Sequence, residues 1–292
     1  MTETTPRAWV LNFDAELELE SGARYTPTDE MRERVRELAR RVATTLEEGD
    51  LVIAPTLRNA PPTKPTALRG FAWCPTPRAL TLLRRARTIV PDAPPVDTLR
   101  LVHERGFAFA LAGDELPGVL RATDLDAIEA HVAEPGPTGR WLLKRAFGVA
   151  GRGQRPVHPA RLSDADRAWI AASLRKGAVY VEPRVEIARE LSVHCWARGG
   201  RADVRSIREQ CVRPDGAWLS SDRAAELDAS LERAVVDTAE RVGRALIDAG
   251  YSGPYGVDAY SWRTPTGALA LRALSEINPR YVMGWDTRDG WG

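Results

Sequence analysis

The sequence predicts an α/β protein whose C-terminal part is α+β. Near the N-terminus a strand, a helix and a second strand follow one another, an order typical of a parallel sheet. After about residue 140, predicted strands dominate, and residues 253–280 form a two-stranded hairpin in this prediction. A chain of 292 residues can bury a substantial core and form one to three compact units.

The composition is that of an ordinary folded enzyme. Hydrophobic residues make up 43% and charged residues 28%, which excludes wholesale disorder. The formal net charge of +1 gives no electrostatic reason to expect a nucleic acid or a membrane as partner. Three widely spaced cysteines and four histidines show neither a disulfide framework nor metal-ligand spacing. Without an apolar run of membrane-spanning length or a signal peptide, we expect a cytoplasmic protein.

The first part of the chain predicts a small α/β unit with parallel strands. Residues 9–13 (WVLNF) form a short apolar strand in this prediction, and residues 51–54 (LVIA) form the next. Between them, Thr26 is the expected N-cap of an amphipathic helix, with Pro27 at its first position. Residues 55–65 are rich in proline and predict a long surface loop. Residues 12–14 (NFD), where ligands of open α/β sheets gather, most simply form a turn.

Two helices and a strand are predicted next. Residues 76–87 carry leucines among arginines, which favours a solvated helix face over a phosphate contact. Residues 98–111 predict a single helix that carries Arg105. Residues 118–122 predict a strand, and the change of rhythm indicates a domain boundary near residue 115.

The segment 140–157 delivers a lysine to a glycine-rich stretch. An apolar strand carries Lys144, and Gly148, Gly151 and Gly153 follow within ten residues. Glycines allow backbone N–H groups to approach phosphate oxygens, while Lys144 and Arg152 add positive charge. A flexible surface hairpin has the same pattern, so this segment alone does not identify a phosphate site.

The segment 178–196 contains a bend between two strands. Residues 179–181 and 191–196 are the predicted strands, and residues 182–185 (EPRV) form the bend. A bend frees backbone groups that an adenine ring can use, and Glu190 is placed to bind ribose hydroxyls. An interdomain crossover with exposed acids is the simpler interpretation.

The hairpin 253–280 can bring three oxygen ligands together. Glu276 and Asn278 lie two apart on one strand and therefore share a face, which Asp258 on the neighbouring strand can reach. Two carboxylates and a carboxamide suit Mg²⁺ bound to a nucleotide phosphate. For any one of these residues, a solvent-facing strand end is the simpler alternative.

Taken in order, these features resemble the ATP-grasp superfamily over residues 116–291. The segment KRAFGVAGRGQR from Lys144 is similar to the lysine and glycine-loop segment of biotin carboxylases. The E-x-N-x-R of Glu276, Asn278 and Arg280 is similar to the carboxylase and carbamoyl-phosphate synthetase form. The resemblance implies an ATP-grasp fold with a Rossmann-like pre-ATP-grasp domain at 1–115. A lid subdomain with a glycine-rich flap would occupy 116–181, and a core subdomain with the metal site would occupy 182–292.

The resemblance also implies roles in nucleotide binding. Lys144 would contact the ATP phosphates, and residues 148–153, including Gly148, Gly151, Arg152 and Gly153, would form the mobile flap over them. Glu182 would accept a hydrogen bond from the adenine amino group. Val185 would meet the adenine edge through its backbone, and Glu190 would hold the ribose.

For the metal and the reaction, the implied residues are those of the hairpin. Asp258, Glu276 and Asn278 would bind one or two Mg²⁺ ions, with Mn²⁺ as an alternative metal, and Arg280 would stabilise the transferring phosphoryl group. Arg105 stands where the family carries an earlier lysine, and it differs from lysine in reach and geometry.

The implied activity is an ATP- and Mg²⁺-dependent carboxylate–amine ligase. It would activate a small-molecule carboxylate as an acyl phosphate and join it to an amine. The alternatives are a small-molecule kinase of this fold and a non-catalytic ATP-binding protein. A kinase would need a basic acceptor pocket, for which the candidates are Arg184, Arg201, Arg205, Arg208 and Arg213. A homodimer is also compatible with the resemblance, and His194 is expected to have a packing role.

Overall fold

The computed structural model describes residues 7–53, 68–113, 115–149, 152–159, 162–213, 218–224 and 226–285. These residues form three sheets, of three, four and five strands, arranged in order along the chain. The predicted loop at 55–65 lies outside the described residues. Within the described ranges, no helix combines the length and the apolar character needed to cross a membrane.

The N-terminal sheet is parallel, as predicted. Its order is β2-β1-β3, with β1 at Arg7–Val10, β2 at Leu51–Val52 and β3 at Arg69–Ala72. β1 is buried along its whole length, whereas both residues of β2 are exposed at the sheet edge. Strand β3 was not predicted from the sequence. The first strand also begins and ends earlier than predicted, because its pairing with β3 runs from Arg7 to Val10.

The helices of this part differ from the prediction in number and in starting point. α1 (Ala15–Ser21) and a 3-10 turn (Gly22–Arg24) follow β1, and neither was predicted. α2 (Asp29–Ala43) is capped by Thr28, whose hydroxyl accepts from the backbone N–H of Met31, so the cap predicted at Thr26 was wrong. α3 spans Pro77–Arg85 with Thr76 as its N-cap, close to the expected position.

The single helix predicted for 98–111 is wrong, because two helices meet there. α4 (Val96–His103) and α5 (Arg105–Leu111) are separated by Glu104, whose backbone is extended. The Glu104 carboxylate accepts a hydrogen bond of 2.8 Å from the hydroxyl of Tyr180 on a distant strand. This break makes Arg105 the first residue of α5.

The second sheet is antiparallel, with order β4-β7-β5-β6. Its strands are β4 (Leu120–Ala122), β5 (Trp141–Val149), β6 (Arg152–Val157) and β7 (Val179–Pro183). α6 (Leu125–Ala133) and α7 (Asp164–Leu174) supply Ile128 and Ile170 to a core that also contains Leu143. Two strand ends differ from the prediction by two residues. β4 begins at Leu120 rather than at residue 118, and β7 ends at Pro183 rather than at residue 181.

The third sheet is antiparallel, with order β10-β9-β8-β11-β12. Its strands are β8 (Glu186–Arg198), β9 (Arg201–Val212), β10 (Trp218–Arg223), β11 (Gly253–Arg263) and β12 (Leu269–Asn278). α8 (Ala229–Asp248) packs on one face, with Val242 in contact with a core that includes Val193 and Val257. β8 begins five residues earlier than predicted because its first residues pair with β11, so the bend before it is only Arg184 and Val185.

Candidate active site

The hairpin of β11 and β12 brings its three predicted oxygen ligands together. Asp258 lies opposite Glu276, and Gly256 lies opposite Asn278 in the antiparallel register. The Asn278 Nδ2 donates to Asp258 Oδ2 at 2.8 Å, and the Ser192 hydroxyl of β8 donates to Oδ1 at 2.8 Å. Asp258, Asn278 and Ser192 therefore form one hydrogen-bonded cluster, and Glu276 lies beside it, opposite Asp258.

The electrostatics of this cluster favour a bound cation. Burial, followed by the negative charge of Glu276, raises the pKa of Asp258 to about 7. A cation would relieve the repulsion between two carboxylates that are partly removed from water. No group of three or more His, Cys, Asp or Glu in the described ranges could hold a metal by itself. Two carboxylates and one carboxamide suit Mg²⁺, which commonly takes its other ligands from substrate phosphates and water.

Arg105 joins the same site from α5. Its Nη2 donates to Glu276 Oε1 at 3.2 Å, and its Nε donates to the backbone carbonyl of Arg145 on β5 at 3.2 Å. The arginine side chain is 8% exposed. The residue thus links the glycine-bearing strand β5 to the β11–β12 hairpin, at the position where the sequence resemblance placed a cation.

Arg280 follows β12 and lies beside Asn278. Its Nη2 donates to Asn278 Oδ1 at 3.0 Å, its Nη1 to the Tyr281 carbonyl at 3.0 Å, and its Nε to Glu16 Oε1 at 2.5 Å. Guanidinium has five N–H donors, so these three bonds leave two for a ligand. Glu16, on the unpredicted helix α1, therefore sets the orientation of Arg280.

Lys144 and Glu182 form a buried ionic cluster with a third residue. Glu182 accepts from Lys144 Nζ at 2.5 Å and from Arg272 Nη2 at 2.8 Å, and all three side chains are at most 8% exposed. Burial alone would raise the pKa of Glu182, but the charges of Lys144 and Arg272 outweigh it and hold that pKa well below its usual range. Burial lowers the pKa of Lys144. The Glu182 carboxylate is thus a partner of two cations, whereas the sequence resemblance made it an acceptor for adenine.

The remaining predicted nucleotide contacts lie around this ionic cluster. Glu190 on β8 is partly buried and lies opposite Tyr260, whose hydroxyl accepts from Arg272 at 3.1 Å. Burial raises the pKa of Glu190, while the charge of Lys144 opposes the shift. Val185 lies in the bend and packs against Tyr260 in a small apolar cluster.

The glycine-rich segment of β5 and β6 also lies beside the β11–β12 hairpin. Gly148 of β5 shares a narrow recess with Arg105, Glu276 and Asn278. Gly153 has φ +82°, and a side chain there would also press on the Phe147 carbonyl, so only glycine fits comfortably. Gly151 lies outside the described residues, and the structure describes Arg152 only as a backbone position in β6.

Two residues of the site, Arg272 and Glu16, were not predicted from the sequence. Arg272 lies on β12 four residues before Glu276, so strand alternation could have placed both on one face. Glu16 carries no comparable signal, because its partner Arg280 is 264 residues away.

Asn12, in the predicted turn, has a structural role, because its side chain hydrogen-bonds Cys74 and Thr76 across the ends of β1 and β3. His194 is 1% exposed and stacks on Trp285, with ring centroids 5.5 Å apart. Neither of its ring nitrogens has a hydrogen-bond partner in the described part of the chain.

The fold is similar to that of several solved enzymes. N5-carboxyaminoimidazole synthetase from Staphylococcus aureus, complexed with ADP, matches with TM-score 0.50 and 12% identity over 97% of this chain and 72% of that one. A biotin carboxylase complex with β-γ-ATP from Campylobacter jejuni matches with TM-score 0.54 and 13% identity, over 96% and 66% of the chains. D-alanyl-alanine synthetase A from Vibrio cholerae matches with TM-score 0.53 and 15% identity, over 94% and 89%.

No family model matches the sequence, and no curated protein matches it. At identities this low the likeness concerns the fold alone. It confirms the ATP-grasp fold that the sequence resemblance implied, whereas the Rossmann-like character of residues 1–115 stays a prediction.

Proposed function

We propose that this chain, which has the ATP-grasp fold, is an ATP- and Mg²⁺-dependent ligase. It would activate a carboxylate as an acyl phosphate and join it to an amine. The structural neighbours named above include complexes with ADP and with an ATP form, which supports nucleotide use by this fold.

One observation carries the proposal. Asp258 and Asn278 are hydrogen-bonded to each other, and Glu276 lies directly opposite Asp258. Arg105 donates to Glu276, and Arg280 donates to Asn278. A triad of oxygen ligands with two adjoining guanidinium groups is suited to a metal-bound phosphate chain. Solvent-facing strand ends would not each be held by a hydrogen-bonding partner in this way.

In the proposed phosphoryl transfer, these residues would position the phosphate groups and neutralise their negative charge. Mg²⁺ held by Asp258, Glu276 and Asn278 would neutralise phosphate charge. Arg280, fixed by Glu16, would direct its two remaining N–H groups at the transferring phosphoryl group. Lys144 has two N–H donors beyond its bond to Glu182 and would use them for phosphate oxygens.

The chemistry then needs no protein nucleophile. A carboxylate oxygen of the acid attacks the γ-phosphorus, and ADP leaves. The amine nitrogen attacks the carbonyl carbon of the acyl phosphate, inorganic phosphate leaves, and the nitrogen loses a proton as the amide forms. Positioning and electrostatic stabilisation account for catalysis of this type.

The kinase alternative receives less support from the arrangement of its arginines. Arg201 and Arg213 stand at or just beyond opposite ends of β9, a separation of roughly 40 Å for an extended strand of this length. Arg208 lies opposite Ser192, which in turn lies opposite Asp258, whereas Arg201 pairs with Arg198 at the far end of β8. These arginines therefore do not build one acceptor pocket.

The test is product analysis with ATP, Mg²⁺ and pooled carboxylates and amines. We expect substrate-dependent release of ADP and inorganic phosphate together with a new amide detected by mass spectrometry. With an ¹⁸O-labelled acid, one labelled oxygen should appear in the released phosphate, because the acyl phosphate bridges through that oxygen. A stable phosphorylated product, or phosphate without label, would overturn the ligase assignment.

A further inference from the structure

A second cavity lies apart from the ATP-site clusters, and its walls are aromatic. Its volume is about 200 Å³, and we call it the tryptophan cavity. The lining residues used here are Trp9, Trp73, Trp218, Ser220, Tyr281 and Trp285. They come from the carboxyl ends of β1 and β3, from β10 and from the segment that follows β12. Ligand sites are typically concave spaces lined mainly by apolar and aromatic side chains, so this cavity is a candidate binding site.

The residues that line the tryptophan cavity pack against one another and hold each other in position. Tyr281 packs edge-on against Trp9 and Trp285, with centroid distances of 5.4 Å in both pairs. Arg41 of α2 lies over the Trp218 ring at 4.7 Å and donates to the Leu219 carbonyl at 2.6 Å, which ties β10 to the N-terminal unit. The space is therefore formed before any ligand binds, and little ordering cost remains.

Contacts of the wall residues connect this cavity to the proposed reaction centre. The backbone carbonyl of Tyr281, one of the wall residues, accepts from Arg280 Nη1 at 3.0 Å. On the other side, the wall residue Ser221 lies opposite Gln210, whose Nε2 is 3.5 Å from Asp258 Oδ1. A nearer link runs through Trp285 of the wall, which stacks on His194 of β8. Ser192, two residues before His194 and on the same face of that strand, donates to Asp258.

The chemistry of the cavity and its neighbours specifies the ligand. Aromatic walls favour a flat apolar group through stacked and edge-on contacts, and the volume suits a single ring rather than a polycyclic system. Arg280, which adjoins the wall residue Tyr281 and bonds its carbonyl, is a cationic partner for the polar end of the same molecule. We propose that the tryptophan cavity binds the aromatic ring of the acid substrate, a small aryl-alkyl carboxylic acid whose carboxylate points toward Arg280. The identification of this ligand as the acid substrate rests on the proposed ligase function.

The experiment measures binding of 3-phenylpropionate to the full chain by calorimetry, without ATP or Mg²⁺, with propionate as the matched ring-free acid. The test variant is Ser220→Phe, which fills the cavity from the edge strand β10. Ser220→Ala is the control that leaves the space open. We expect 3-phenylpropionate to bind the unmodified chain and Ser220→Ala equally, and at least tenfold more tightly than propionate. Ser220→Phe should weaken that binding at least tenfold, while its thermal stabilisation by ATP and Mg²⁺ is retained.

The proposal is overturned if 3-phenylpropionate binds no more tightly than propionate, or if Ser220→Phe binds it unchanged. Should Ser220→Phe fail to fold, the tryptophan indole N–H resonances of the unmodified chain decide. Those of the wall tryptophans should shift when 3-phenylpropionate is added, and unshifted wall signals contradict the proposal. Because this binding is measured without nucleotide, its failure is separate from a failure to form ADP and amide in the product analysis.

Discussion

At the scale of single residues, the buried cluster of Lys144, Glu182 and Arg272 is the most informative feature. The two cationic side chains share the Glu182 carboxylate, and all three side chains are at most 8% exposed. Burying such groups is costly, and their mutual attraction repays the cost only when every partner is present. Two cations and one anion leave a net positive charge, which an anionic ligand such as a nucleotide phosphate would balance.

Replacing Glu182 with Gln should therefore destabilise the fold strongly. Lys144 and Arg272 would remain buried without a counter-charge, at a cost of about 3–5 kcal/mol in the free energy of unfolding. Chemical denaturation monitored by circular dichroism measures the change. The matched control is Glu129→Gln, which removes a carboxylate from the partly exposed ion pair with Arg167 and should cost less than about 1 kcal/mol. Equal costs for the two variants would show that the buried cluster is not a stabilising unit.

At the scale of secondary-structure elements, the face of α8 that packs on the sheet depends on a glycine. Gly243 lies in the interior of this 20-residue helix, where alanine normally stabilises by about 1 kcal/mol. A Cβ at this position would collide with the hydroxyl of Tyr255 and with Ala202. The close approach of helix and strands thus requires a residue without a side chain.

Gly243→Ala should accordingly destabilise the protein by about 1–3 kcal/mol, the range for overpacking, despite the better helix propensity of alanine. Urea denaturation gives the free energy of unfolding. In a Tyr255→Phe background the same substitution should cost less, because one of the two colliding groups is gone. A stabilising effect of Gly243→Ala in the unmodified chain would mean that the packing of α8 is looser than described.

Elements defined by local signals were predictable, and those defined by distant contacts were not. The β11–β12 hairpin was predicted because Pro265 and Gly267 form a local turn, in which the Gly267 N–H bonds the Thr264 carbonyl at 2.8 Å. Helix α1 was not predicted from the sequence, and its N-cap residue Asp14 makes no capping hydrogen bond in the structure. Its carboxylate is held instead by Arg78 and Tyr25.

The break between α4 and α5 has a similar cause. The helical pattern in the sequence continues through Glu104, but the bond from Tyr180, 76 residues away, accompanies an extended backbone there. Local propensity gives no sign of such a contact. The candidate metal ligands could be predicted because they share one hairpin, whereas Arg272 and Glu16 became apparent only from their partners.

At the scale of the whole molecule, the site joins segments that are far apart in the chain. Arg105 meets Glu276 across 171 residues, and Glu16 meets Arg280 across 264. Residues from all three sheets or from their flanking helices therefore form one site. It lies between the N-terminal unit that carries α1 and the two later sheets. Binding of a nucleotide there should stabilise the molecule as a whole, because the ligand contacts several units at once.

Calorimetric titration of ATP in the presence and absence of Mg²⁺ tests the metal and nucleotide site most directly. It compares the unmodified chain with Glu276→Gln, and Glu186→Gln serves as a control that removes a carboxylate from an exposed ion pair elsewhere. We predict Mg²⁺-dependent binding by the unmodified chain and the control, and at least a tenfold weaker affinity in Glu276→Gln. Equal affinity in all three proteins, or binding that does not depend on Mg²⁺, would contradict the assignment of Asp258, Glu276 and Asn278 as the metal ligands.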